Sequence, residues 1–486
     1  MKRQRSDYPK EAIDQRFPRE LGVIPSAWDE HVDVLVIGSG FAGLAAATEA
    51  AKAGRDTLIL EKMPYYGGNS VIAGGGYCCW DSGLKLREKL GLGKDSWESH
   101  REDTLRGGNY YNDPALVDVL AQNAPAGLDW MVAAGVRFRD TVARIGGHGA
   151  YRSYQTAVSG RELMDPLRDN ALDAGAQLRT ESTVEWIFRK DYASPIAGVS
   201  ISSKDGERAI EVRHALIIAS GGYGRDVAMR TSYKPTLTAD CNCTNHKGAT
   251  GEMIRSAKAI GADTLHMEFI QLYPCANPQT GSVDQPAFLC FSGTGFGLIF
   301  VNAQGRRFVN ELSGRDEVSS AQLVSQTLPT YSVLNAAIFE RLGIEQKDVD
   351  RMIRQSRVLA GDTLEELARL MEVPADTFAE TVHAHNDYLK SGVDQEFAKP
   401  VTEAMLPLEQ GPFYAIAQWP SVHYCMGGIR INTLAEVIDI WGRPIPGLFA
   451  AGEVCGGVHG CDRLGGNGIA ECIVFGRIAG RNAAAR

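Results

Sequence analysis

The apolar positions of this chain follow two periods, and glycine marks the places where one gives way to the other. From Val32 the run VDVLVIG is apolar at nearly every position, the pattern of a strand covered on both faces. FAGLAAATEAAKAG then spaces small apolar residues as a helix does, and DTLILEK (Asp56–Lys62) returns to a continuous strand. Strand, helix and strand in so short a span form a parallel βαβ unit. Residues 64–83 are a glycine-rich loop, and helices are expected over 113–135 and 160–176. Strands are expected at Val184–Arg189, Ile196–Ile201 and Ala215–Ala219, the last running into Ser220-Gly221-Gly222. Over 268–423 a mixed α/β pattern interrupts the glycine-rich one, with helices expected over 319–342 and 376–390. The tail resumes with GLFAAGEV, GGVHGCDRLGGNG and the helix IAECIVFGRIAGRNAAA. Glycine-rich ends around a different middle predict an α/β fold, a discontinuous Rossmann-like domain carrying an inserted mixed α/β cap. The expected divisions are an N-terminal extension over 1–30, nucleotide-domain segments over 31–267 and 424–486, and the cap over 268–423.

Composition narrows the class. A chain of 486 residues, 44% hydrophobic and 22% charged, has the balance of globular domains with full cores, which excludes disorder and coiled coil. A net charge of −9 without a long basic run argues against nucleic acid or an anionic membrane as partner. No apolar run approaches the roughly 18 residues that a membrane span needs. Met1–Glu30 has Lys2, Arg3 and Arg5 but no apolar stretch behind them, so no secretory signal is visible. A cytoplasmic protein is expected, with an exported form that has lost its leader as the alternative. The ten cysteines form no CxxC or CxxCH. Cys241, Cys243 and His246 lie close together but fit no standard zinc spacing, so reduced thiols and no metal are expected. Glycine is the outlier, 53 residues against an average of about 7%. Such an excess implies backbone that something approaches closely.

The approach is clearest at Gly38-Ser39-Gly40-Phe41-Ala42-Gly43, a GxGxxG between a strand and a helix. The first glycine permits the turn, the second admits a pyrophosphate and the third lets helix and strand pack. The helix N-terminus offers free N–H groups and partial positive charge to that anion. Glu61, followed by Lys62, ends the second strand, where an acid binds ribose hydroxyls and disfavours a 2′-phosphate. Gly67-Gly68-Asn69-Ser70 through Gly74-Gly75-Gly76 is too rich in glycine for a plain connection. Gly452-Glu453 and Arg463-Leu464-Gly465-Gly466-Asn467-Gly468-Ile469 supply a second approach before another helix. An extended dinucleotide such as FAD fits that arrangement.

These motifs, with ASGGYG (Ala219–Gly224), FVNELSGRD (Phe308–Asp316) and VHYCMGG (Val422–Gly428), resemble the FAD-dependent fumarate reductase and flavocytochrome c flavoproteins. That family is related to succinate dehydrogenase flavoproteins, urocanate reductase and ketosteroid dehydrogenases, and the resemblance covers about 31–486. It implies FAD held by Gly38, Gly40, Phe41, Ala42, Gly43, Glu61, Lys62, Gly68, Asn69, Ser70, Gly74, Gly75, Gly222, Glu453, Gly466, Asn467 and Ile469. Relatives with covalent flavin carry a histidine where this chain has Asn69-Ser70, so non-covalent FAD is expected. The resemblance also implies reduction of the C=C bond of an α,β-unsaturated acid, by hydride from flavin N5 to the β carbon. Arg463 and His423 would hold a substrate carboxylate, and Arg315 in SGRD would deliver the proton. The chemistry agrees, since a guanidinium suits a planar carboxylate and positive charge is needed where an enolate develops.

The departures from the family pattern carry the substrate reading. Fumarate reductases place a histidine in IQxHP, whereas this chain reads Ile270-Gln271-Leu272-Tyr273-Pro274. Their threonine, glutamate and arginine ahead of the proton-donor arginine align with Cys290, Phe291 and Thr294. One carboxylate clamp is kept and the other is replaced by Tyr273, Cys290, Phe291 and Phe288. An acrylate, arylacrylate or urocanate-like monocarboxylate is therefore expected rather than fumarate. The relay behind Arg315 is left open among Asp316, Glu311 and water. Three alternatives stand beside this reading: a fumarate reductase proper, a 3-ketosteroid-type dehydrogenase using Tyr273, Tyr77 or Tyr424, and a non-catalytic flavoprotein subunit. With no haem motif and no second nucleotide fingerprint, an external electron donor is expected: a cytochrome, a flavin-bearing subunit or reduced free flavin.

Overall fold

A strand with apolar side chains on both faces is stable only where both faces are covered, and this fold is assembled around one. The computed structural model describes residues 19–156, 160–325 and 328–486, so much of the expected extension over 1–30 lies outside the described residues. In chain order the elements that frame the site are β1 (Glu30–Ile37), α1 (Phe41–Lys52), β2 (Thr57–Leu60), β3 (Gly206–Ile218), β4 (Ile270–Ala276), α2 (Arg315–Ser325), β5 (Thr330–Asn335), β6 (Phe413–Cys425), β7 (Pro444–Ala450) and α3 (Asn467–Ala484).

β1 lies inside an eight-stranded sheet. It pairs in parallel with β2, Ile37 opposite Leu60, and with β3, Ile37 opposite Ile218. β7 joins β3 in parallel, Ala450 opposite Ile218. Four strands therefore end at one edge, and Gly38, Glu61, Ala219 and Ala451, which follow them, become neighbours. Ligands of open parallel sheets bind at such an edge. The late return of β7 makes the domain discontinuous. α3 lies against α1 closely enough that side chains at Gly476 and Gly480 would overlap the backbone of Ala42 and Ala46.

A second core draws on side chains from Tyr273 to Ile416. Its sheet has the order β4, β6, β5 and Ile299–Val301, with Leu359–Gly361 also on β6. Tyr273 on β4 stands opposite Ser421 on β6, and Gln271 opposite Tyr424. The far end of β6 reaches the first core, where Val422 and Cys425 are buried. One continuous strand thus ties the two cores, and the expected division at 423–424 falls inside it. The helix expected over 319–342 is a correction. α2 ends at Ser325, residues 326–327 lie outside the described residues, and Thr330–Asn335 is β5, paired with β6 from Thr330–Gln418 to Asn335–Phe413. TYSVLN alternates and is rich in strand formers, and sheet pairing overrides the helical spacing around it.

The cap also buries an ion network. Arg307 contacts Glu311 through Nε (2.9 Å) and Asp394 through Nη2 (2.8 Å), and Lys399 Nζ lies 3.1 Å from Glu311 Oε2. Burial opposes the charge on Glu311, but Lys399 and Arg307 outweigh it and hold the carboxyl down at about 2. Glu311 is thus committed inside the cap, which removes it as a relay behind Arg315. Among the described residues no helix is long and apolar enough to cross a membrane.

Replacing Glu311 by Gln should cost about 3–5 kcal/mol of stability at neutral pH, because Lys399 and Arg307 lose a buried partner. A depressed carboxyl stabilises above its unfolded value, here 4.5, and loses that contribution as pH falls toward 2. Acid unfolding followed by circular dichroism should therefore be less steep in this window for E311Q than for the wild type. Equal slopes would contradict the network.

Candidate active site

At the end of β1 the backbone turns through Gly38, whose φ is +101° and whose α-carbon faces the Ala219 carbonyl too closely for any side chain. Gly43 in the first turn of α1 rests on the Gly38 carbonyl oxygen, so a Cβ there would overlap it. Gly40 caps α1, and Ser70 Oγ accepts from the Phe41 N–H at 3.0 Å; Ala42 follows in the same turn. Glu61 closes β2 and accepts from Ser39 Oγ (2.6 Å), Ser39 N–H (3.3 Å) and Met63 N–H (2.9 Å). Lys62 beside it is engaged by Glu252 at 2.9 Å and by Thr250 Oγ1 at 2.6 Å.

The glycine-rich loop crosses this edge. Gly68-Asn69-Ser70 forms a single tight turn. Asn69 Nδ2 donates to Glu453 Oε2 (3.2 Å) and its Oδ1 accepts from the His246 N–H (2.7 Å). Gly74 lies against the Phe288 ring, and Gly75 has a φ of +77°. Glu453 is fully enclosed, and burial pushes its carboxyl up to about 7 against the pull of the Cys425 N–H and Asn69. Gly466 caps α3, and Gly468 and Ile469 in its first turn face the same space. One cavity of about 450 Å³ joins these surfaces, with two helix N-termini and the unpartnered hydroxyl of Ser220 at its walls.

Three expected contacts lie elsewhere, the first being Gly43, which packs on the Gly38 carbonyl behind the wall. The Asn467 side chain turns away from the cavity, accepting from His100 Nε2 (2.9 Å) and donating to Thr104 Oγ1 (3.0 Å). Gly222 is not on the wall either; it packs on the Glu453 carboxylate, where a Cβ would sit 2.7 Å from Oε1.

A cavity of this course, lined by glycine backbone and an acid at the second strand, suits an extended dinucleotide. A family model described as FAD binding domain matches residues 33–469. The chain belongs to this FAD-binding family. It is 35% identical over 468 residues to the acrylate reductase flavoprotein subunit of Shewanella woodyi, covering 93% of this chain and 91% of that one. It is 34% identical over 472 residues to the urocanate reductase of Eggerthella lenta, covering 95% and 76%. The solved open conformation of a flavocytochrome c3 fumarate reductase superposes with a TM-score of 0.75 at 34% identity, over 94% of this chain and 79% of that chain. The 3-ketosteroid-Δ4-(5α)-dehydrogenase of Rhodococcus jostii RHA1 shares the fold, with a TM-score of 0.75 at 24% identity.

The same cavity is also lined by Arg315, His423 and Arg463. Arg315 opens α2 on the cap, His423 sits on β6 and Arg463 precedes α3, so each half of the molecule contributes. Arg315 Nη1 donates to Gln271 Oε1 at 3.0 Å, and Arg463 Nη2 reaches the same oxygen at 3.4 Å. The Nε atoms of both arginines are buried with no partner. The Arg463 guanidinium lies 4.2 Å over the Tyr424 ring. Burial and then Arg463 pull Arg315 down to about 10. Burial, with Arg315 and Arg463, drives His423 well below the ordinary histidine value, so the ring is neutral. Its Nδ1 meets Thr244 Oγ1 at 2.8 Å, and that hydroxyl already accepts from Asn245. With Thr244 donating to Nδ1, His423 carries its hydrogen on Nε2 and offers it as a donor.

The aromatic wall packs directly on this cluster: the Arg315 guanidinium lies 4.8 Å over the Phe291 ring and 5.1 Å over the Tyr273 ring. Phe291 and Tyr273 stand 5.9 Å apart, Tyr273 is 5.0 Å from the His423 ring, and Phe288 joins them. Cys290 is a correction. It lies one residue before Phe291 on the helix Gln285–Gly293 and faces the cap core, where burial raises its thiol to about 12. A helix turns about 100° per residue, and here that step points Cys290 into the cap core while Phe291 faces the cavity. Sequence reasoning missed Ser39, which ties Glu61 to the turn, and the stretch Thr244-Asn245-His246 along the cavity. The latter follows Cys243, whose backbone bridges Val422 beside His423. Among the described residues no group of three or more His, Cys, Asp or Glu could hold a metal ion.

Gly43→Ala should weaken FAD binding by at least about tenfold, because the added methyl displaces the turn that meets the pyrophosphate. Flavin absorbance that copurifies at the wild-type ratio would contradict this placement.

Proposed function

We propose that this protein is an FAD-dependent reductase of α,β-unsaturated monocarboxylic acids whose β carbon carries hydrogen or an apolar or aromatic group, and no second carboxylate. One observation carries the reading: of the cap residues on the cavity wall, Arg315 alone is charged, and the others are apolar or neutral, with Tyr273, Val283, Phe288 and Phe291 beside Ser282, Ser292 and the neutral His423. When bound, FAD supplies the hydride. Arg463, through its unpartnered Nε, and the Nε2–H of His423 bind the substrate carboxylate. Arg315 gives a proton to the α carbon, and its lowered pKa brings a guanidinium nearer to proton release than it is in water. The aromatic wall receives the β substituent and keeps water out. A second carboxylate placed against these rings would lose its hydration, and the cation beside them, Arg315, is already held by Gln271 and the ring faces.

The ketosteroid-type alternative depends on a tyrosine hydroxyl, and the three candidates are occupied. Tyr273 donates to the Ala287 carbonyl (3.2 Å), Tyr77 to the Ala124 carbonyl (2.8 Å) and Tyr424 to Glu471 (2.8 Å). The binding residues for FAD are those on the cavity wall: Gly38, Gly40, Phe41, Ala42, Glu61, Lys62, Gly68, Asn69, Ser70, Gly74, Gly75, Glu453, Gly466 and Ile469. The Asn69-Ser70 pair supports non-covalent binding, so acid-denatured holoprotein should release its flavin into solution. Electrons come from an external donor, a reading supported by the relative named as a flavoprotein subunit.

Dye-coupled turnover with acrylate, cinnamate, urocanate and fumarate tests the proposal. The best monocarboxylate should exceed fumarate in kcat/KM by about 100-fold, the equivalent of roughly 3 kcal/mol; fumarate as the best substrate would overturn it. Arg315→Ala should lower kcat by about 10³-fold with FAD still bound, and retained turnover would remove Arg315 as proton donor.

A further inference from the structure

One peptide unit on the cavity wall, Gly465-Gly466, lies beside both arginines. A Cβ at Gly465 would sit 3.5 Å from Arg315 Nη2, and one at Gly468 would sit 3.3 Å from Arg463 Nη1. Gly465 and Gly466 line the cavity, whereas Cys78 and His148 are not on its wall. The Gly465 carbonyl turns to these two residues. His148 Nε2 meets its oxygen at 2.9 Å, and Cys78 Sγ donates to it at 3.2 Å. The cis peptide bonds among the described residues both precede proline, so this peptide is trans. Its N–H therefore points opposite to its carbonyl, away from His148 and Cys78 and toward the cavity. The first N–H groups of a helix have no intrahelical acceptor, so the Gly466 N–H is offered to what fills the cavity.

Both donors are themselves held in place. Cys78 ends the strand Gly76–Cys78, and its own N–H donates to the Gly466 carbonyl at 3.3 Å. Gly466 has a φ of +76°, and a Cβ there would overlap Cys78 Sγ, so glycine is what lets the strand come this near. His148 closes a turn in which its N–H donates to the Ile145 carbonyl (3.2 Å), and Arg144 Nε donates to the His148 carbonyl (3.0 Å). The turn rests on Leu464 through Gly147, where a Cβ would overlap the leucine. A carbonyl oxygen only accepts, so His148 carries its hydrogen on Nε2. Burial drives His148 well below the ordinary histidine value and pushes the Cys78 thiol up to about 12, so both donors are neutral.

We propose that His148 and Cys78 are positioning residues that raise the reduction potential of bound FAD through the Gly465-Gly466 peptide. The proposal rests on the reading above that the reacting ring of FAD lies beside Arg315 and Arg463. Hydrogen bonds in a chain polarise one another, so two donors on the carbonyl make the N–H of the same peptide a stronger donor. Two-electron reduction with uptake of one proton leaves the flavin ring with a negative charge that the oxidised ring lacks. A strengthened N–H aimed at that ring favours the charged form over the neutral one. His148 and Cys78 thus promote electron uptake without touching flavin or substrate. They do so without adding charge to a site that already holds two guanidinium groups. A role in folding alone would weaken oxidised and reduced FAD equally and leave the potential unmoved, because a potential reports only the ratio of the two affinities.

The test is the midpoint potential of FAD in the holoprotein, from reductive titration against a reference dye. His148→Phe keeps a ring and removes the donor. It should lower the affinity for reduced relative to oxidised FAD by about tenfold, equivalent to about 30 mV for a two-electron couple. His148→Gln keeps an N–H at the place of Nε2 and should recover most of that shift. Cys78→Ala should lower the ratio by about threefold, equivalent to about 14 mV, and the double variant His148→Phe/Cys78→Ala should lie below either. A wild-type potential in the double variant would overturn the proposal, as would a shift in His148→Gln as large as that in His148→Phe. If His148→Phe and the double variant retain no FAD, Cys78→Ala decides, and an unshifted potential there overturns the proposal. Arg463→Ala places the ring, since losing a positive charge beside it should also lower the potential. An unshifted Arg463→Ala refutes that placement and the proposal falls with it; a shifted Arg463→Ala beside an unshifted double variant refutes the peptide's role alone.

Discussion

Two buried guanidinium groups, those of Arg315 and Arg463, share one neutral acceptor, the Gln271 side-chain oxygen. Like charges in so dry a place repel, and neither Nε has a partner. The site is therefore incomplete until an anion enters it. Everything around it serves to hold this pair in place. The parallel sheet brings the FAD surfaces and the Arg463 loop to one edge, and β4 and β6 carry the cap far enough to add Arg315 and His423. The neutral state of His423 follows from the same field, because a third positive charge there would be unfavourable.

The FAD half was legible in the sequence because its chemistry is made by backbone. A GxGxxG between VDVLVIG and FAGLAAATEAAK, with Glu61 at the end of the next strand, leaves few alternatives. Residues whose side chains choose a direction were less legible. Asn467 belongs to a glycine-rich motif but its amide turns to His100 and Thr104, and Cys290 differs from Phe291 by one helical step that moves it from the cavity to the core. Spacing in sequence states that two residues are near, not which way they point. The strand Thr330–Asn335 was hidden for a related reason, since its partner on β6 lies more than seventy residues away along the chain.

The cap divides its labour between two sets of buried charges. Arg307, Glu311, Asp394 and Lys399 pair with one another away from the cavity. Arg315 is left without a carboxylate within the site, and only the amide of Gln271 separates it from Asp462. A carboxylate paired directly with Arg315 would compete with the substrate for it. Placing a neutral carboxamide between them keeps the positive charge available.

The central claim is that one end of the pocket binds a carboxylate and the other an apolar group. Its most direct measurement is equilibrium binding of two saturated, unreactive acids to the oxidised holoprotein, 3-phenylpropanoate and succinate, followed by the perturbation of the flavin spectrum. The account predicts that 3-phenylpropanoate binds more tightly by at least about tenfold, near 1.4 kcal/mol. Succinate binding as tightly or more tightly would contradict it.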